Sequence, residues 1–315
     1  MDGYRFQNRR SFLRYMLGAG AGMSLMSSFS KTELQSKGMT KLVILYTNDQ
    51  HSRIEPFPIN DPKYPDQGGF ARRAAVIKQV RAAESNVLVL DAGDIFQGTP
   101  YFNLYHGEVE YKLMSMMGYD CTTIGNHDFD LGMENIVKQM PHASFDFVCA
   151  NYIFKDTPLE GLIKPYKIFY RGGLKIGVFG LGIELKGLVG EKQYGNTKYF
   201  NPVMVANDVA KTLKKDEKCD LVICLSHLGY KYEDRKVSDI ILGEQTRNID
   251  LIIGAHTHTF LEKPVLRSNL DQQEVHVTQV GWAGIWLGRA DIIFSLNTKK
   301  NSIETSYYKI FKNQV

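Results

Sequence analysis

The sequence is poor in cysteine, in net charge and in long apolar runs. Its four cysteines, Cys121, Cys149, Cys219 and Cys224, lie in or beside strand-like runs with no C-x-x-C spacing. That placement argues for buried free thiols and against a disulfide framework. The formal charge is only +4, and Arg5, Arg9, Arg10 and Arg14 against Asp2 put +3 of it in the first thirty residues. The rest of the chain is nearly neutral, which excludes a nucleic acid recognised by bulk charge. Beyond Ser28 no stretch approaches the roughly eighteen apolar residues needed to span a bilayer. Internal repeats, low-complexity tracts and linkers are also lacking, so residues 31–315 are expected to form one domain. What is present is an ordinary globular composition, 43% hydrophobic and 23% charged over 315 residues, enough for a sizeable core.

The N-terminus explains the charge asymmetry. Asn8 to Arg14 reads NRRSFLR and precedes a glycine-rich, modestly apolar stretch from Tyr15 to Ser28. This resembles a bacterial twin-arginine export signal. The expectation is a signal over residues 1–30, cleaved near Lys31 after the small residues Ser28 and Ser30. A periplasmic or extracellular protein without a stable membrane span would result.

Past Lys31, apolar runs of four to eight residues alternate with segments of helical period, the pattern of an α/β domain. Strands are expected at Lys41 to Asp49, Asn86 to Ala92 and Cys121 to Gly125. Helices are expected at Glu108 to Met117, Met133 to Gln139 and Val203 to Lys215. GGFARRAAVIKQVRAAE reads as an amphipathic helix with Ala71, Ala74, Ala75, Ile77 and Val80 inward. KIFYRGGLKIGVFGLG reads as a hairpin turning at Arg171-Gly172-Gly173. The last segments, EVHVTQV, WLGRADIIFSL and TSYYKIF, alternate with period two and suggest a closing β-meander, with Trp282 and Trp286 as packing residues. Many strands with intermittent helices imply two packed sheets flanked by helices.

Five of the strand-like runs end in clusters of Asp, Asn or His: LVILYTNDQH, VLVLDAGD, CTTIGNHD, LVICLSH and LIIGAHTH. Five of the eight histidines, His51, His127, His227, His256 and His258, fall in these endings. Ligand sites in open α/β sheets lie beyond the carboxyl ends of parallel strands, so the endings point to one pocket rich in metal ligands. Taken singly, each residue has a bland explanation: Asp49 or Asp94 as a turn residue, His227 as a core histidine, Asp130 as the cap of a helix beginning near Leu131. GNHDFD is more specific. Asn126 can offer an amide oxygen, and the spacing of His127 and Asp130 lets the carboxylate fix one ring nitrogen.

The order D-x-H, G-D, G-N-H-[DE], H and G-H-x-H resembles the calcineurin-like metallophosphoesterases. TNDQH, GGFARRAA, GDIFQGTP, GNHDFD, LSHLG and GAHTH are similar to the catalytic domain of the 5′-nucleotidase family, over residues 40 to 290. The resemblance implies an α/β, four-layer αββα sandwich carrying two divalent transition ions, with Zn, Mn, Fe and Co all compatible with mixed N and O ligands. Asp49, His51, Asp94 and His258 would hold one ion; Asp94, Asn126, His227 and His256 would hold the other, with Asp94 bridging. His127, oriented by Asp130, would stabilise transition-state charge or protonate the leaving oxygen, and Asp128 would stand behind the ligands. Two positions depart from the family pattern: Ser52 replaces a common glycine, and His258 stands where some relatives use Gln. The implied activity is release of phosphate from nucleotides or related small-molecule phosphomonoesters. Alternatives of the same fold are a cyclic nucleotide phosphodiesterase or a sulfur-ester hydrolase. The family's C-terminal domain supplies its base-binding aromatics. Because the resemblance does not extend to that domain, a separate nucleotide-binding chain is an alternative partner.

Overall fold

Strand β1 (Met39–Thr47) shows how one apolar run serves two cores. Its residues Leu42, Ile44 and Tyr46 enter one hydrophobic cluster, whereas Val43 and Leu45 enter another. Successive side chains of a strand point to opposite faces, so a strand covered on both sides must be apolar throughout. The computed structural model in which this is seen describes residue 34 and residues 38–312. The twin-arginine expectation lies outside the described residues.

In the first sheet β1 is joined by β2 (Val87–Asp91), β3 (Cys121–Thr122) and β4 (Asp146–Phe147), all parallel. The antiparallel pair β13 (Trp286–Ser295) and β14 (Asn301–Lys309) completes the order β14-β13-β1-β2-β3-β4. A second sheet contains β6 (Tyr166–Arg171), β7 (Leu174–Gly182), β9 (Leu221–His227), β10 (Leu251–Gly254), β11 (Val265–Ser268) and β12 (Glu274–Thr278). Its order is β11-β12-β10-β9-β7-β6, parallel from β7 through β9 and β10 to β12. Strands β5 (Tyr152–Ile153) and β8 (Lys198–Tyr199) form a small ribbon apart from both.

Leu42, Ile44, Leu88 and Leu90 of the first sheet meet Ile176, Val178, Ile223 and Ile253 of the second in one core between the sheets. Helices α1 (Phe70–Ala83), α2 (Pro100–Tyr105), α3 (Glu108–Met117) and α4 (Met133–Gln139) contribute to a second core on the outer face of the first sheet. After the short α5 (Glu191–Tyr194), α6 (Pro202–Lys211) and α7 (Asp239–Gln245) cover the outer face of the other sheet. The layers are therefore helix, sheet, sheet, helix. Truncating Ile44, fully buried between the sheets, to alanine would cost about 2–5 kcal/mol. Among the described residues no helix is long and apolar enough to cross a membrane. All four cysteines are buried and free.

Several expectations need correction. The terminal strands do not form a meander. β12 lies parallel to β10 in the second sheet, and the chain then crosses to the first sheet for the β13–β14 hairpin. The crossing is made by Gly281 to Gly284, where Gly281, Ala283 and Gly284 have positive φ, a turn that alternation in sequence does not reveal. β3 stops at Thr122, short of Gly125, because the following residues turn into the site. The helix at Met133–Gln139 has the expected bounds, but its cap is Gly132 and not Asp130, which is left to pair with His127. The helix expected to Lys215 is α-helical only to Lys211 and continues as a π-helical turn, Thr212–Asp216. In α1 the inward residues are Phe70, Arg73, Val76, Ile77 and Val80, with Ala71 exposed.

Candidate metal centre

Parallel strands of the two sheets end at one edge, and the polar residues just beyond them converge. Two groups of potential ligands form: Asp49, His51 and His258, and Asp94, His227 and His256. Within each group the ligand atoms lie within 4.8 Å of one another. Asp94 links the groups, since its Oδ2 lies 3.1 Å from His227 Nε2 and 3.9 Å from His51 Nε2. His258 Nε2 approaches Asp49 Oδ1 at 3.5 Å and His51 Nε2 at 3.0 Å. Asn126 is buried beside Asp94, whose Oδ1 accepts the His127 backbone N–H at 2.8 Å. His127 stands at the rim with its ring centroid 5.3 Å from that of His51, and Asp130 lies 3.1 Å from its Nδ1. All nine residues singled out from the sequence thus meet at one edge of the molecule.

The backbone reaches this geometry at a cost. Asp49, His51, Asp94, His256 and His258 all have positive φ, between 47° and 69°, the left-handed region that side chains other than glycine seldom adopt. Such strain persists only where surrounding structure enforces it, and it concentrates at functional sites. Here the enforcement is visible. The His256 N–H donates to both Asp49 oxygens, at 2.9 and 3.0 Å. The Asp128 carboxylate accepts backbone N–H groups from Asp94, Ile95, Phe96 and Gly125, stitching two strand ends together. Gly125 has no alternative, because a Cβ there would overlap the Asp94 carboxylate.

Whether these residues suit metal ions can be judged from their unmet bonds. Asn126 Oδ1 and His227 Nε2 are buried with no hydrogen-bond partner. His227 Nδ1 lies 2.8 Å from the Ala92 carbonyl and donates to it, which makes Nε2, 3.1 Å from Asp94 Oδ2, the nitrogen that a cation would take in place of a proton. The Nε2 atoms of His51 and His258 face each other at 3.0 Å, an arrangement that demands a proton or a cation between them. Buried polar atoms without partners are costly, and a cation satisfies all of these at once. The donor set fits a pair of divalent ions.

Electrostatics tie the cluster together: although burial alone would lower it, the Asp94 carboxylate raises His227 to about 10, so an ion entering here displaces a proton. Burial would raise the Asp94 carboxyl, yet His227, with His51 and His127, holds it below the usual carboxylate range. Burial and the neighbouring His227 push His256 down to about 4, keeping it neutral as a ligand must be. His51 is also lowered, chiefly by burial. His127 moves the other way: its bond to Asp130 outweighs burial and raises it.

Some contributors were not apparent from spacing. Asn48 donates to Asp49 Oδ2 and to the Gly281 carbonyl, at 2.6 and 2.5 Å, and accepts the Val280 N–H, pinning the first ligand turn to the sheet crossing. Trp282 packs against the core between the sheets, as expected, and also reaches the site. It is half-buried and stacks parallel to His258, with ring centroids 5.4 Å apart. The loop from Ile54 to Gly69 borders the centre through Phe57 and Tyr64, both in contact with Trp282. Trp286 does pack in the core, stacked on Tyr307.

The calcineurin-like phosphoesterase family model matches residues 42–260. The chain belongs to this family. Within it, the chain is 31% identical over 303 residues to a snake venom 5′-nucleotidase from Gloydius brevicauda, covering 88% of this chain and 49% of that protein. A 5′-nucleotidase from Vibrio cholerae is 34% identical over 277 residues, covering 81% of this chain and 49% of the relative. Among solved structures, a 5′-nucleotidase precursor from Thermus thermophilus superposes with a TM-score of 0.79 at 28% identity, over 88% of this chain and 56% of that one. The chain spans about half the length of the curated relatives it matches.

Proposed function

We propose that this protein is a dinuclear-metal phosphohydrolase that releases phosphate from nucleotides or related organic phosphomonoesters. The reading is carried by the meeting of two ligand groups at one oxygen of Asp94, with His127 beside them. Asp49, His51, Asp94 and His258 would hold one divalent ion, and Asp94, Asn126, His227 and His256 the other. Two bound ions supply an activated water and clamp the phosphoryl oxygens. Zn, Mn, Fe and Co all suit the donors.

The remaining chemistry belongs to His127 and Asp130. Asp130 engages Nδ1, which leaves Nε2 as the ring nitrogen available to substrate. As the P–O ester bond breaks, protonated His127 gives its proton to the leaving oxygen, and the Asp130 carboxylate keeps the ring charged and oriented until then. Substrate aligned by the two ligand groups meets this donor at the open rim, where His127 is 38% exposed.

A second reading keeps this chemistry and adds a partner chain that recognises the leaving group. The open flank at His258 and Trp282 supports it. The N-terminal NRRSFLR pattern supports export by the twin-arginine route. The deciding experiment is metal-reconstituted turnover on nucleoside monophosphates, aryl phosphates, a cyclic diester and a nucleotide sugar. Phosphate release from monoesters is expected; turnover of the cyclic diester alone, or of none, sinks the reading. Copurification for a second chain, with turnover measured before and after its addition, tests the partner.

A further inference from the structure

Arg73 is the largest fully buried side chain among the described residues, and it is poorly satisfied. Its Nε and Nη1 have no hydrogen-bond partner, while its guanidinium lies 4.2 Å from the centre of the Phe70 ring. Space for it exists only because Gly284 lacks a Cβ, which would overlap Nη1. An aliphatic side chain would fill this position without the desolvation cost of a guanidinium, so fold stability does not account for Arg73. Its side-chain acceptor does. Nη2 donates to Gln50 Oε1, and Gln50 is the residue between Asp49 and His51.

Gln50 is itself fully buried and is held from its other end: Nε2 donates to Asp91 Oδ2 at 2.8 Å. Asp91, at the end of β2, is fixed by Thr47 Oγ1 at 2.6 Å, the Gly93 N–H at 2.9 Å and Thr122 Oγ1 at 3.2 Å. The amide therefore bridges a cation on α1 and a carboxylate on β2, and both of its ends are oriented by charge. Its neighbours in sequence, Asp49 and His51, have φ of 48° and 47°. A strained turn needs such anchoring to keep two side chains aimed at one point.

We propose that Arg73, Gln50 and Asp91 form a buried tether that positions Asp49 and His51 as ligands before any ion arrives. The three are positioning residues and touch neither substrate nor ion. The inference rests on the two-ion reading above and assigns the tether to one of its two sites. The other group is oriented chiefly through Asp128 and the Ala92 carbonyl; it has no direct bond to Gln50 and meets the tethered turn only through Asp94 and the His256 N–H on Asp49.

The test is calorimetric titration of the full chain with Mn2+, accompanied by melting of the metal-free protein. Arg73→Met leaves the buried Gln50 and Asp91 without their cation, a loss that can itself prevent folding, so Gln50→Met is the primary variant. It should weaken one Mn2+ site by about tenfold to a hundredfold, the usual effect of losing a partner behind a ligand, and weaken the other site clearly less. The double variant Gln50→Glu with Asp91→Asn preserves the polarity of the chain, since a carboxylate still accepts from Arg73 and an amide can donate to it. It should recover most of the lost affinity. Binding of both ions by Gln50→Met as in the unsubstituted protein overturns the tether. So does equal weakening of both sites together with a fall in melting temperature, or failure of the double variant to recover. If the unsubstituted protein takes up fewer than two Mn2+, the two-ion reading itself fails, a result available before any variant is made.

Discussion

The two ligand groups use the same chemistry in different surroundings. Each joins two imidazoles to a carboxylate, and in each the carboxylate and one imidazole are buried; the groups part at the third residue, partly buried His256 in one and His258, with a 38% exposed side chain, in the other. The buried group lies beneath backbone from two strand ends. The open one is flanked by Trp282, Phe57 and Tyr64, whose rings shield part of it and leave the rest to solvent. Identical donors can thus give one site that holds its ion by burial and another that exchanges it and meets substrate. Burial also explains why unsatisfied atoms, Asn126 Oδ1 and His227 Nε2, lie in the buried group.

The severest way to break this distinction is to remove the residue both groups share. Asp94→Asn should abolish stable binding of both ions and lower turnover by on the order of a thousandfold or more, beyond the usual effect of losing one oxyanion donor. Elemental analysis with phosphate-release assays measures both. Retention of two ions and full activity would show that the groups are independent. Next in size is His127→Ala, expected to reduce turnover about a hundredfold to ten-thousandfold with metal content unchanged.

The pH profile refines that result. Asp130 raises the pKa of His127 above its usual 6.5, first through the hydrogen bond and then through its charge. The protonated ring therefore persists to higher pH, and activity that needs it is complete at low pH and lost as pH rises through the raised value. Asp130→Asn should move this alkaline limb to lower pH; an unmoved limb assigns it to another group. The small stability this pair contributes has the same sign, present below the unfolded pKa and lost as pH rises through the folded one.

A gentler test compares the sites without disrupting the shared ligand. His258→Ala should loosen one ion by at least about tenfold while the other stays. Chelator-driven metal release from the unsubstituted protein should be biphasic, the open site emptying first, and His258→Ala should alter only that faster phase. The smallest effect expected is that of Trp282→Leu, which removes the stacked contact with His258. It should cost about 0.5–1.5 kcal/mol in denaturant titration. Loss of affinity at the buried site in this variant would mean that the two sites communicate through more than Asp94.

Much of this was legible from residue order. TNDQH, GDIFQG, GNHD, LSH and GAHTH each follow a run apolar enough for a covered parallel strand, and such strands share an edge where their endings meet. Helices α3 and α4 have the bounds expected from their periodicity. Other features escaped for physical reasons. Alternation in EVHVTQV and WLGRADIIFSL identified strands but not sheets, because period two is the same whichever sheet a strand joins. Arg73 went unremarked within the helix, since nothing local shows that it meets Gly284 and Gln50. Trp282 meets His258, Phe57 and Tyr64, which come from distant parts of the chain, so no local pattern could place it at the site.

By itself, then, the sequence determined the class of fold, the strand endings and the kinds of donor they carry, because these follow from short-range periodicity and side-chain chemistry. Only the tertiary structure decided which donors lie together, which are buried, and what holds strained turns in place. Those are matters of distances between remote segments, and a distance across two packed sheets is set by packing rather than by separation along the chain.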